Sequence, residues 1–217
     1  MNTSAPAVST HKILLPLVLF HLFVIAASNY LVQIPITIFD FHTTWGAFTF
    51  PLIFLATDLT IRLYGASHAR LIIFMAMIPA IIISYLFSVI FFAGSFQGFS
   101  HFTELNSFVA RIAVASFLAY VAGQFLDIYV FSALRKNLNS KNWWIPPAFS
   151  SIIGTLVDTL LFFSIAFYKS TDEFMANNWP EIATVDYVFK LLISLAIFVP
   201  VYGVFMNTFT KKLSYPA

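Results

Sequence analysis

The chain has 217 residues, 60% hydrophobic and 9% charged, where a soluble domain carries about 25% charged residues. So little polar surface cannot keep a folded chain of this length in water, and the surplus apolar surface must face lipid. The net charge of +2 is spread along the chain, which argues against a nucleic-acid groove, and the lack of cysteine excludes disulfides, thiolate metal sites and a cysteine nucleophile.

Residues 1–12 are mainly polar and small and read as a short leader. The apolar run that follows has no small-residue cleavage site at the usual distance and continues for a full membrane crossing. It is therefore expected to be a retained helix rather than a signal peptide. About 20 apolar residues are needed to cross the hydrocarbon. Runs of that kind lie at 13–34, 45–64, 68–94, 106–134, 143–168 and 183–210. Pro35 and Asp40 close the first, Gly65 the second, Gly94 and Gly98 the third, and Asn137, Asn139, Ser140 and Asn142 the fourth. Pro146 and Pro147 fall in the opening turn of the fifth helix, where a missing N–H costs least. Pro51, Pro79 and Pro200 lie within spans and are expected to kink them. The expected fold is thus an all-α integral membrane bundle of six transmembrane helices, a single domain over 13–210 with a tail at 211–217.

Lysine and arginine give the orientation. Lys12, Arg62, Arg70, Arg135, Lys136, Lys141, Lys211 and Lys212 fall at one side, whereas the alternate connections hold Lys169 with Asp40, Glu104, Asp172, Glu173 and Glu181. The positive-inside rule then predicts both termini in the cytoplasm. Trp45, Trp143, Trp144 and Trp179 fall near span ends, as interfacial anchors do.

Charges inside the spans are costly, roughly 3 kcal/mol each near the bilayer centre, and so mark a bundle interior or a cavity. Asp58, Arg111, Asp127, Asp158 and Lys190 are of this kind. Arg111 and Lys190 lie toward the outer ends and could snorkel, but Asp158 is mid-span and too short to do so. Asp58 with Arg62, and Asp186 with Lys190, are four residues apart and can pair along their helices. Tyr120, Gln124 and Asp127 form a polar stripe on the fourth helix, and Ser28, Asn29 and Gln33 form another on the first. Gly154, one turn before Asp158, would let a neighbouring backbone approach that carboxylate. Together these groups describe a site for a small polar molecule, and aromatic residues make up 18% of the chain to stack against it.

No phosphate-binding G-x-x-x-x-G-K-[ST] loop, H-E-x-x-H or G-x-S-x-G motif is present. His11, His21, His42, His68 and His101 are scattered without metal-ligand spacing. The connections are too short for a soluble enzyme domain. That leaves transport, a purely structural membrane role or intramembrane catalysis, in that order, and no metal or cofactor is expected.

Several stretches carry a family resemblance: Ser28–Val32, Trp45–Pro51, Ala56–Gly65, Gly123–Asp127, Ser150–Phe167 around Asp158, and Val185–Lys190. They resemble the bacterial queuosine precursor transporter family, also called the vitamin uptake transporter family, over about residues 13–210. The resemblance implies a multi-pass inner-membrane importer of 7-cyano-7-deazaguanine, a purine-like base used for the queuosine of transfer RNA, with the lipid bilayer and that small molecule as its partners and no nucleic acid. It implies substrate contacts from Asn29, Trp45, Asp58, Arg62, Gln124, Asp127, Asp158 and Lys190. Many members are acidic where this chain has Arg62, which here would give Asp58 an internal counter-charge. The alternative is a substrate-binding membrane subunit of a multi-component ATP-driven transporter, since the family has been compared with such subunits.

Overall fold

The structure, a computed structural model, describes residues 10–32, 34–92, 95–99, 106–138 and 142–213. Most of the expected leader, Gln33, Gly94, His101, Glu104, Asn139, Ser140, Lys141 and residues 214–217 lie outside the described residues, as do the side chains of His11, Lys12, Lys211 and Lys212.

Among the described residues, six helical segments are long and apolar enough to cross a membrane. The first is α1 (Thr10–Leu31). The second is divided into α2 (Gly46–Thr49) and α3 (Pro51–Tyr64). Pro51 takes the first position of α3, where its missing N–H leaves no intrahelical bond unmade. The expected kink is therefore a helix start. One residue, Gly65, joins α3 to α4 (Ala66–Ile90). Its φ of 90° reverses the chain in a conformation that a side chain would strain.

The fourth and fifth crossings are α5 (Ser107–Asn137) and α6 (Ile145–Phe167). Asn106 caps α5 by accepting from the Val109 N–H at 3.1 Å. Arg111 reaches from α5 to the end of α6, donating to the carbonyls of Ile165 (2.7 Å), Tyr168 and Lys169 (3.3 Å). Its charge thus sits on the orphan carbonyls at the negative end of that helix.

The sixth crossing begins well before the expected residue 183. It comprises α7 (Glu173–Ile193), a π-helical turn at Ser194–Phe198 and α8 (Val199–Leu213). Asp172 caps α7 by accepting from Met175 N–H at 3.0 Å, with Glu173 in the first turn. Hydropathy alone misses this start because Asn177, Asn178 and Glu181 lie in the first turns, which project beyond the apolar stretch. Trp179 consequently lies inside a helix and packs in the Phe163–Phe167 cluster. In the π turn the Val199 N–H donates to Ser194 O, one residue beyond the α spacing. This widened turn makes room for the Pro200 ring, which would otherwise press on the preceding turn.

Two connections are β-hairpins that an all-helical reading leaves out. β1 (Pro35–Ile38) pairs antiparallel with β2 (Phe41–Thr44) around a two-residue turn at Phe39 and Asp40. Both turn residues have positive φ, 51° and 66°, the geometry that matches strand twist. A shorter hairpin pairs β3 (Phe91–Phe92) with β4 (Ser95–Phe96). The first hairpin and α2 pack on α7, with His42 against Phe174 and Phe48 near Phe189.

The tightest helix pair is α5 with α6, where Gly123 and Gly154 face each other. A Cβ on Gly123 would lie 3.0 Å from Asp158 Cβ and 3.2 Å from Gly154 O. One on Gly154 would lie 2.9 Å from a Phe54 ring carbon and 3.2 Å from Gly123 O. The expected close approach beside Asp158 is present, and it is reciprocal. Gly123→Ala and Gly154→Ala should each destabilise the bundle by about 1–3 kcal/mol, the usual range for overpacking. Thermal melting in detergent checks this, and unchanged melting of both variants would show that the crossing can relax.

Candidate functional site

The sequence-predicted polar residues fold into two separate layers, one of which lines a cavity. That cavity lies where the end of α1, the start of the second crossing, the first half of α5, the second half of α6 and the middle of α7 meet. Its polar walls are Ser28, Asn29, Ser116, Asp158, Asp186 and Lys190, and Phe50 and Phe162 supply aromatic faces. It holds about 20 Å³, room for about one water molecule, so its walls are closed upon one another.

Lys190 is the centre of this layer. It is 5% exposed, with its ammonium 2.7 Å from Asp186 Oδ2 and 3.7 Å from Asp158 Oδ2. The ammonium also lies 3.3 Å from Thr159 Oγ1, to which it donates, and 5.0 Å from the Phe50 ring centre. The Asp186–Lys190 pairing follows the expected four-residue spacing. Lys190 does not snorkel, because two carboxylates hold it inside. Two carboxylates against one ammonium leave acceptors in excess: Asp158 Oδ1 and Asp186 Oδ1 are buried without a hydrogen-bond donor among the described residues. Unpaired buried acceptors are expensive, and they are what a ligand's N–H groups would satisfy.

Asn29 braces the same cavity. Its Nδ2 donates to Ser84 Oγ on α4 and its Oδ1 accepts from Ser116 Oγ on α5, both at 2.7 Å. The amide thereby joins three helices. Ser28 Oγ, one residue earlier, is 2.7 Å from Thr49 Oγ1 of α2.

The second layer lies nearer the opposite end of the bundle. Asp58 of α3 faces Asp127 of α5 and accepts from Ser150 Oγ of α6 at 3.4 Å. Gln124 accepts a hydrogen bond from Thr57, whose hydroxyl oxygen also lies 3.4 Å from His21 Nε2. His21 Nδ1 is 2.8 Å from the Leu17 carbonyl oxygen, and the whole ring is buried. None of Asp58, Gln124 or Asp127 lines the Lys190 cavity.

The expected Asp58–Arg62 pair does not form, since the ion pairs among the described residues are those of Lys190. Asp58 is buried on the interior side of α3, while Arg62 comes to lie beside Arg135 at the helix end. Their four-residue spacing permits contact, but the neighbours of each decide otherwise. Trp45 is 47% exposed, 5.7 Å from Phe48 between ring centres, and does not line the cavity.

Of the residues singled out from the sequence as substrate contacts, Asn29, Asp158 and Lys190 line this cavity, and the hydroxyls of Ser84, Ser116, Thr57 and Ser150 were passed over. Lone hydroxyls in apolar helices give no signal of their own, because they can bond their own backbone. Asp186 was legible as the partner of Lys190. Among the described residues no cluster of three or more metal-ligating side chains occurs.

Lys190→Met should be severely destabilising, by about 3–5 kcal/mol, because it strands two buried carboxylates. Adding Asp158→Asn and Asp186→Asn to it should recover most of the loss. Melting temperatures of the single and triple variants in detergent provide the check, and a single variant that melts like the parent would refute the triad.

Residues 44–205 match the family described as "Putative vitamin uptake transporter". The chain is 57% identical over 204 residues to the "Queuosine precursor transporter" of Escherichia coli (strain K12), covering 94% of this chain and 91% of that protein. It is 53% identical to a "Probable queuosine precursor transporter" of Haemophilus influenzae, covering 89% and 86% respectively. A Bacillus subtilis protein described in the same words is 28% identical over 178 residues, 80% of this chain and 76% of its own. No solved structure matches the chain.

Proposed function

The chain belongs to the queuosine precursor transporter family and is a multi-pass bacterial membrane transporter, and we propose that its cargo is 7-cyano-7-deazaguanine, taken up into the cytoplasm. The observation that carries this reading is the pair of unsatisfied acceptors, Asp158 Oδ1 and Asp186 Oδ1, on either side of a buried lysine. A deazaguanine edge presents a 2-amino donor and a ring N–H beside a carbonyl. The carboxylates accept from the two donors, and Lys190 donates to the carbonyl. Phe50 and Phe162 cover the ring faces, while Asn29 holds the α1, α4 and α5 walls in register.

In the orientation that the Lys and Arg distribution favours, both termini are cytoplasmic and the cavity lies in the outer half of the membrane. A cavity with room for about one water must open before a bicyclic base can enter. Its walls therefore separate and reclose in each cycle, as in alternating access. The π turn directly after α7, followed by Pro200, places the weakest backbone of the sixth crossing one turn beyond Lys190. There the helix can bend without breaking the ion triad. The Asp58–Asp127 layer lies on the inner side of this cavity, so released cargo would pass it on the way to the cytoplasm.

Uptake of radiolabelled 7-cyano-7-deazaguanine by proteoliposomes containing only this protein tests the reading, with guanine as competitor. Saturable uptake is expected. Tight binding without transport would instead indicate a capture subunit that needs partners, and neither binding nor uptake by folded protein would reject the cargo. Asp158→Asn, which turns an acceptor into a donor, should lower uptake by about tenfold or more, the scale of one mismatched buried hydrogen bond. Normal uptake by that variant, at matched insertion, would remove Asp158 from the site.

A further inference from the structure

A second, larger cavity of about 760 Å³ lies near the opposite end of the bundle, between the α3–α4 corner and α5. Three cations line it, Arg70 of α4 and Arg135 and Lys136 of α5, and no lining residue is acidic. Arg62 lies beside Arg135, adding to the like charge. None of these cations is ion-paired among the described residues. Arg135 donates one N–H to the Ile61 carbonyl at 2.9 Å, which fixes the guanidinium while leaving donors for another acceptor.

Ser132 adds a buried hydroxyl without a hydrogen-bond partner among the described residues, and the rest of the lining is mainly apolar. Phe125, Ile128 and Tyr129 lie on one face of α5 above the cations, at helical spacing. Phe125 is 37% and Tyr129 72% exposed, inside a segment that crosses the membrane. The cavity therefore carries a cationic floor at the helix ends and an apolar side open to the bilayer. A soluble anion would match only the floor. An amphiphile with an anionic head matches both.

We propose that this cleft binds an anionic phospholipid, its phosphate held by Arg70, Arg135 and Lys136 and its acyl chains lying along Phe125, Ile128 and Tyr129. The bound headgroup relieves the repulsion among the clustered cations and ties α4 to α5, a pair that also meets through Asn29 in the cargo cavity. The proposal is independent of the cargo, because it rests on a cavity that shares no residue with the other one.

The test uses the full chain in mild detergent, offered phosphatidylglycerol or phosphatidylcholine with matched acyl chains, with bound lipid read by native mass spectrometry. Phosphatidylglycerol should be retained preferentially. Arg70→Gln/Lys136→Gln should cut that preference about tenfold or more, as loss of two cations at a membrane surface predicts. Arg70→Lys should largely keep it, and Lys169→Gln at the other end should leave it unchanged. Equal retention of the two lipids, or an unchanged preference in the folded double variant, would overturn the proposal. Displacement of the lipid by millimolar inorganic phosphate would overturn it in favour of a soluble anion. A measurement that needs no variant is photolabelling of the parent protein with an acyl-chain-tagged phosphatidylglycerol. Label should fall on the Phe125–Tyr129 segment, and label confined to other helices would also reject the site.

Discussion

The polar cavity around Lys190 depends on how one ammonium is kept inside the bundle. Lys190 is tolerable there because Asp186 meets it at 2.7 Å, Asp158 approaches at 3.7 Å and Phe50 presents its ring at 5.0 Å. Burying a charge without such partners is prohibitive in hydrocarbon. The pairing is asymmetric, however, since two carboxylates share one cation and each keeps an oxygen without a donor among the described residues. A neutral core would be easier to bury but would offer a ligand nothing specific. The triad combines a rigid centre with open acceptors, which suits recognition of a small molecule rich in N–H groups.

The helices around this centre are held by contacts that require small side chains and single polar atoms. Gly123 and Gly154 bring α5 and α6 together until a Cβ would be within about 3 Å of the facing residues. Without a hydrophobic drive between helices in lipid, such close packing and interhelical hydrogen bonds supply the association. Asn29 is the clearest of those bonds, joining α1 to α4 and α5 through two serines. Asp58, Asp127 and Ser150 make a comparable junction of α3, α5 and α6 on the other side of the crossing. The two polar layers are thus also seams of the bundle.

The two ends of the molecule are built differently. Near the Lys190 cavity, a β-hairpin and α2 pack against α7. At the other end cations collect around an open cleft without carboxylates. The π turn and Pro200 lie between the two ends, in the crossing that carries Lys190.

The class, the crossings and the cost-bearing residues can be read from the amino-acid order alone. Each of these follows from local chemistry: apolar run length, helix-breaking punctuation and the insertion cost of a charge. The Asp186–Lys190 pair was equally legible, because a four-residue spacing on one helix is fixed before any tertiary contact forms. The same spacing misled for Asp58 and Arg62, whose surroundings pull them toward opposite environments. Early α7, the hairpins and the bracing hydroxyls were hidden because polar residues near the membrane surface are compatible with helix, strand or loop. Only tertiary structure decided that Asn29, Asp158 and Lys190 share a cavity while Asp58, Gln124 and Asp127 form a separate layer. Helix periodicity fixes which face a residue occupies, but not which neighbour that face meets, because rotation and depth are set by packing among all six crossings.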